Sequence, residues 1–511
     1  MGNNISSRFQ HSLTDPDEFT LTVELVPSRG GHSTAHSRAL AFAREAGADG
    51  RVHGVSITEN AGGHPALSPE VMGSEIRKLG LDVIIHLSCK DKNRNQIESL
   101  LFAWDRAGLS NLLVISGDYP QRGYRGHPKP VFDLDSVQTL DLISRLNCED
   151  ENVDRRNPSI IKSVEATSFF KGVAISPFKN TEAELLMQYY KLHRKAAAGA
   201  NYVITQVGYD ARKFDELLRY MRLHRIKLPV LANVFIPTPT VAKMMWEGKI
   251  PGVVITDRYY AQLQEEFKDP DRGRKKALLR GAKLLCIQKG IGFSGAHIGG
   301  PALSFTELDF LLTEADRMTD DWPDFLQEFS GWPEDSYYFH PGSNNELNGD
   351  EPKTSSKSVK SPHYTLSNSI HDLAFVETGA LYQAASRICL SLSKGKGLRS
   401  FATAEHFIKF LLFGCKNCGD CTLGELGFLC PQKGCAKYLL NGPCGGSRDG
   451  WCEVYPGQKK CLYTKVYERL KAVAQEDTMK KGFIPPRDWA LNGTSSWLNF
   501  FLHRDHTNLL K

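Results

Sequence analysis

Short apolar runs rich in β-branched residues recur along the first three hundred positions: FTLTVELV (19–26), GVSIT (54–58), DVIIHLS (82–88), NLLVIS (111–116), GVAIS (172–176), YVITQ (202–206) and PVLANVF (229–235). Between most of them, apolar residues fall at three- and four-residue spacing, as in ESLLFAWDRAG (98–108) and ELLMQYYKLHRKAAAG (184–199), which is the period of an amphipathic helix. Strands apolar on both faces and separated by helices predict a parallel sheet covered on both sides. Two further runs, GVVIT (252–256) and GFSGAHIGG (292–300), bring the candidates to nine, one more than a (β/α)₈ barrel holds. The long helical stretch 257–290 lies between these two. GVVIT is therefore taken as an extra element and GFSGAHIGG as the eighth strand. The expected fold class is α/β: a (β/α)₈ TIM barrel followed by a smaller helical, cysteine-rich metal-binding domain. An open doubly wound sheet is the alternative.

The pattern changes at 334–365, which is rich in Ser, Asn, Pro, Lys and acids and almost free of aliphatics. That composition predicts a linker. Helical periodicity returns over 366–413 and runs into a cluster of cysteines. The expected division is a barrel over 1–325, a linker over 326–365 and a cysteine-rich domain over 366–511. There is no internal repeat.

Composition narrows the classes. With 511 residues, 41% hydrophobic and 24% charged, the chain reads as a globular protein of several domains. A net charge of +5 and the lack of a basic block interleaved with aromatics argue against nucleic acid. No apolar run has the ~18–20 residues of a membrane span. MGNNISSRFQ has no apolar signal core, though Gly2 and Ser6 fit the loose N-myristoylation pattern. The expectation is a cytoplasmic enzyme.

Eight of the twelve cysteines fall between positions 415 and 461. Cys415, Cys418 and Cys421 form C-x₂-C-x₂-C; Cys430, Cys435, Cys444, Cys452 and Cys461 follow. Nothing upstream suggests the oxidising compartment that disulfides need. Zinc takes four ligands, commonly from two separated C-x₂-C knuckles. A third cysteine at the same short spacing is instead the iron–sulfur signature, and eight thiolates match two [4Fe–4S] clusters. Zinc stays as the alternative.

Catalytic groups of such a barrel sit at the C-terminal ends of its strands. There the sequence places Glu24, Thr58, His86, Cys89, Ser116, Gly117, Asp118 and Gln206, with Lys195 on the helix before the sixth strand. Each has an ordinary structural reading: Asp118 as a turn cap, His86 as a satisfied core histidine, Gln206 on backbone, Glu24 in an ion pair. Together they describe a barrel enzyme with a polar mouth.

TVELVPS, SITENAGG, IHLSCKDKNR, DRAGLSNLLVISGD and AAGANYVITQVGYD, in this order, resemble the methylenetetrahydrofolate reductases over about 20–300. The tail, with GCKNCGDC, FLCPQKGCAK, NGPCGG, CEV and TSSWLNFFLHRDH, resembles the cysteine-rich partner subunit that accompanies this reductase in acetogenic bacteria. The resemblance implies a flavin-dependent barrel that interconverts 5,10-methylenetetrahydrofolate and 5-methyltetrahydrofolate. It implies Glu24 as the general acid and Asp118 near the pterin and its developing positive charge. Gln206 would bond the pterin edge, and Thr58, His86, Ser116, Gly117 and Asp118 would line the flavin. Lys195 would reach the flavin's phosphate region. It implies FAD, with FMN as the alternative, and NAD(P)H or a ferredoxin-type electron donor, in a homo-oligomer or a redox complex. The chain departs from the family at Ser116, where Arg is usual, and at Leu25, Val26 and Pro27 after Glu24. It also departs at SPFKNTEAE (176–184) and at VGYD after Gln206. A folate- or corrinoid-linked methyltransferase component with a structural zinc domain is the competing function.

Overall fold

A computed structural model describes residues 7–148, 165–301, 303–343, 346–353, 359–393 and 397–508. The N-myristoylation pattern lies outside these residues. Eight strands, β1 (Thr20–Leu25), β2 (Gly54–Ile57), β3 (Asp82–Ser88), β4 (Asn111–Ile115), β5 (Phe170–Ile175), β6 (Tyr202–Thr205), β7 (Val230–Phe235) and β8 (Gly295–Gly299), close into a barrel in chain order. Every pairing is parallel, and β8 returns to β1 with His297 opposite Thr22. The expected eight strands are these eight. GVVIT forms no strand; its Val253, Val254 and Ile255 are buried in an extended segment that leads into the next helix.

Helix α1 (Arg8–Thr14) precedes the barrel and plugs its N-terminal end. Phe9 meets the rings of Phe170 and Tyr202 edge-on inside an inner cluster with Ile84, Leu113, Ile204 and Leu231. Asp82 fixes this plug by accepting from Ser7 Oγ (2.9 Å) and Phe9 N (2.8 Å). The bottom of the barrel is thus closed by apolar side chains, with Asp82, Thr20 and Asn111 at the strand starts pairing with α1.

The outer ring comprises α2 (Thr34–Asp49), α3 (Pro69–Arg77), α4 (Arg94–Arg106), α5 (Ser136–Leu146), α6 (Glu182–Ala197), α7 (Ala211–Leu223), α8 (Pro239–Trp246), α9 (Asp257–Glu266), α10 (Arg274–Gly290) and α11 (Phe305–Arg317). Side-chain caps start many of them: Asn93, Asp135, Thr181, Asp210 and Ser304 each accept from a first-turn amide.

The 326–365 segment departs from the linker expectation. β9 (Phe339–Pro341) and β10 (Asn348–Pro352) pair as an antiparallel hairpin held against α7. Lys213 and Glu216, fully buried, pair at 3.2 Å, and Lys213 Nζ also donates to Ser336 O (2.5 Å). Glu216 accepts from Tyr338 N, Asn348 Nδ2 donates to Asp215 and Arg212 donates to Asn348 Oδ1. The polar composition that suggests a linker is here the complement of a charged helix face.

Beyond it lie α12 (Pro362–Ala374), α13 (Tyr382–Ser393), α14 (Leu398–Phe413), the single turn α15 (Pro431–Gly434), α16 (Leu462–Lys471) and α17 (Ser496–Phe501). The cysteine segment packs on the barrel. Asp135 accepts from Leu440 N and Asn441 N, Arg94 donates to Arg487 O, and Glu182 of α6 takes Lys471 at 2.9 Å. No helix among the described residues is long and apolar enough to cross a membrane.

Candidate functional site

Period-two alternation sends Thr22 and Glu24 of β1 and His297 of β8 into the barrel. His297 shares hydrogen bonds with Thr22 Oγ1 through Nδ1 (2.8 Å) and Ser56 Oγ through Nε2 (3.3 Å), and Nε2 stands 3.9 Å from Glu24 Oε2. Burial pushes the Glu24 carboxyl up, but the hydrogen bond and charge of His297 outweigh it and hold it below its ordinary value. Burial drives the neighbouring His86 the other way, down to about 4, so its ring is neutral.

His86 is not a satisfied core histidine: its Nε2 is buried without a partner, as are Thr58 Oγ1 just after β2 and Asn233 Oδ1 on β7. An unmet buried polar atom costs about 1–3 kcal/mol. Their position at the mouth marks places where a polar-edged ring would find donors and acceptors.

Ser116, Gly117 and Asp118 follow β4. Gly117 has φ +82°, and a Cβ there would stand 2.0 Å from Ser88 Oγ, so only glycine fits. Asp118 is no local turn cap. It accepts from Gly62 N (2.8 Å), tying the loop after β4 to the loop after β2. The Gly117 carbonyl accepts from Lys437 Nζ (2.6 Å), which arrives from the cysteine segment and pairs with Glu453.

Gln206 ends β6. Its Oε1 accepts from the adjacent Val207 N (2.8 Å), and its Nε2 faces Gly252 at the start of GVVIT. Lys195 does not fit the phosphate-reaching role. It is buried between α6 and β5, its Nζ donates to Ala174 O (2.5 Å), and burial drives it well below the usual lysine range. Two other lysines reach towards the tail. Lys179 donates to Gly445 O (2.5 Å) and Ser447 O (2.7 Å), and Lys191 to Pro443 O (2.9 Å) and Gly442 O (3.4 Å). Together they clamp the strap 442–447, which carries Cys444.

All eight tail cysteines are free thiols, in two groups. Cys415, Cys418, Cys421 and Cys430 line one cavity, together with Lys409 and Arg487. Lys409 Nζ stands 3.4 Å from Cys421 Sγ, and the buried Arg487 leaves Nε and Nη1 without partners. Cys435, Cys444, Cys452 and Cys461 form the second group beside the strap. The Cys452 N–H donates to Lys459 O and the Cys461 N–H to Gly450 O, folding the last two together. Burial pushes the Cys435, Cys444 and Cys461 thiols up, Cys444 to about 12; a bound cation reverses this by favouring thiolate. Buried cations beside both groups suit a centre that is negative overall.

Among the described residues, the one set of three potential ligands within 4.8 Å of one another is Asp420, Asp505 and His506, absent from the sequence expectation. His506 contacts Asp420 through Nδ1 (2.5 Å) and Glu425 through Nε2 (3.1 Å), and these carboxylates outweigh burial to raise it to about 10. An imidazolium with both nitrogens engaged has no lone pair for a metal, so this set is an ion triad.

The sequence reading missed His297, Ser56, Asn233, Lys179, Lys191, Lys437 and Glu453. His297 carries a signal in hindsight: it alternates with Gly295 and Gly299 in the expected eighth strand. The lysines act across several hundred residues and carry none.

A family model described as methylenetetrahydrofolate reductase matches residues 8–288, more than half of the chain, and one described as methylene-tetrahydrofolate reductase C terminal matches 398–490. Methylenetetrahydrofolate reductase 2 of Saccharomyces cerevisiae is 25% identical over 224 residues, covering 42% of this chain and 34% of the relative. Methylenetetrahydrofolate reductase 1 of Schizosaccharomyces pombe is 24% identical over 241 residues, covering 46% and 36%. The probable methylenetetrahydrofolate reductase (NADPH) of Caenorhabditis elegans is 25% identical over 186 residues, covering 35% and 25%. The matched region thus spans about a third or less of these relatives' length. With the closed barrel, its polar mouth and both family matches in register with the two parts of the sequence, the chain belongs to the methylenetetrahydrofolate reductase family.

Proposed function

We propose that the chain is a flavin-dependent methylenetetrahydrofolate reductase whose cysteine-rich part holds two iron–sulfur centres that pass electrons to or from the barrel. The observation that carries the barrel's role is the mouth itself: Glu24 with His297, the unpaired His86 and Thr58, and the Gly117–Asp118 turn all lie at one end of the strands. A bound flavin, FAD or FMN, supplies hydride chemistry there.

Every other step belongs to the side chains. Glu24 protonates the folate nitrogen as the five-membered ring opens. Filling the mouth removes water from its carboxyl and favours the protonated form. Asp118 places negative charge beside the iminium carbon that results, a preorganised interaction that strengthens as charge develops. Gln206 Nε2 offers a donor to the pterin edge. Thr58 and His86 offer Oγ1 and Nε2 to the flavin ring.

In the tail, Cys415, Cys418, Cys421 and Cys430 would hold one centre and Cys435, Cys444, Cys452 and Cys461 the other. The C-x₂-C-x₂-C run of Cys415, Cys418 and Cys421 supports iron–sulfur over zinc. NAD(P)H or a ferredoxin-type protein is the proposed donor.

Anaerobically purified protein should show flavin absorption over a broad cluster background; a colourless protein containing only zinc overturns the reading. Glu24→Gln should lower folate turnover by about 10²–10⁴-fold and spare flavin reduction by the donor. Unchanged turnover removes Glu24 from its role.

A further inference from the structure

One chain of charged groups runs from the second thiol group to the barrel mouth, and the proposed reaction leaves it unused. Lys437 lies two residues after Cys435 and is buried. Its Nζ donates to the Gly117 carbonyl at 2.6 Å and pairs with Glu453. Glu453 Oε1 lies 3.5 Å from Cys444 Sγ. Both ends of this chain are fixed. Gly117 is locked by its positive φ and by Ser88, and the strap bearing Cys444 is clamped by Lys179 and Lys191. The ammonium therefore has one place to be, beside Asp118 and away from water, where a charge acts strongly.

We propose that Lys437 is a positioning residue of the barrel site, supplied by the cysteine-rich part: it holds the Gly117–Asp118 turn in place and sets a positive charge there. The inference rests on the flavin reading above. A fixed cation near the flavin seat favours the reduced, more negative form of the ring, one of the levers by which a protein tunes this cofactor.

The test uses the full chain with bound flavin. Lys437→Met should keep flavin but move the reduced-to-oxidised ratio at a fixed potential about tenfold towards oxidised, equivalent to about 30 mV for a two-electron couple. Lys437→Arg, which keeps the charge, should restore most of that ratio. In the flavin-free chain, amide hydrogen exchange over residues 117–119 should quicken in Lys437→Met and stay near wild type in Lys437→Arg. If Lys437→Met does not fold, Glu453→Gln carries the test with opposite sign: removing the counter-charge should move the ratio towards reduced. A wild-type chain that holds no flavin overturns the functional reading and this proposal with it. Flavin held at the wild-type ratio in Lys437→Met, or an arginine variant shifted as far as the methionine one, overturns the proposal alone.

Discussion

At the scale of single residues, the opposition between burial and His297 decides how Glu24 behaves. Burial favours the neutral carboxyl, and the imidazole 3.9 Å away favours the anion and wins. His297→Gln removes the winning term, so the Glu24 carboxyl should rise. A general acid works while protonated, so the alkaline limb of the kcat–pH profile should move to higher pH in this variant. A limb that stays in place assigns it to another group. Glu24 was legible in the sequence because a carboxylate inside TVELV is costly without a purpose. His297 was not, because it sits in a glycine-rich strand and gains its meaning only when β8 closes on β1.

At the scale of elements, the strands were legible throughout. The first seven are apolar runs rich in β-branched residues, the eighth is a glycine-rich one, and the surplus run, GVVIT, is set apart by the long helical stretch that follows it. The hairpin β9–β10 was not legible. Its apolar content is too low to announce a strand, and its stability comes from α7, more than a hundred residues earlier. The Lys213–Glu216 pair beneath it is fully buried. Lys213→Met leaves Glu216 as a lone buried charge and should cost about 3–5 kcal/mol, read from the denaturant midpoint. Adding Glu216→Gln should recover part of that loss. Equal stability of the single variant and wild type would mean that the hairpin contributes nothing to the fold.

At the scale of the whole molecule, the eight cysteines divide by position: one group beside α14, the other against the barrel mouth. The spacing of the first three thiols was readable as a signature, but the four-and-four division was not, because Cys430 and Cys435 are five residues apart and belong to different groups. If the two groups hold the proposed iron–sulfur centres and the barrel the proposed flavin, the division predicts independence. Cys418→Ser and Cys452→Ser should each remove about half of the bound iron, about four atoms of the eight that two [4Fe–4S] centres hold, measured by metal analysis and electron paramagnetic resonance. Cys452→Ser should disturb the flavin spectrum and Cys418→Ser should not. Loss of all iron in either variant would mean one shared centre. The helices before the cysteines leave Leu366, Ile388, Phe407 and Leu411 more than half exposed.

The two lysines that grip the strap bind the fate of the halves together. Lys179 and Lys191 sit inside the barrel's own wall, yet the oxygens that satisfy them belong to residues 442–447. A gene cut after position 353 would yield a barrel with two ammonium ions stranded in an apolar wall. Such a fragment should melt well below the intact chain in calorimetry and regain its midpoint when the tail is supplied in trans.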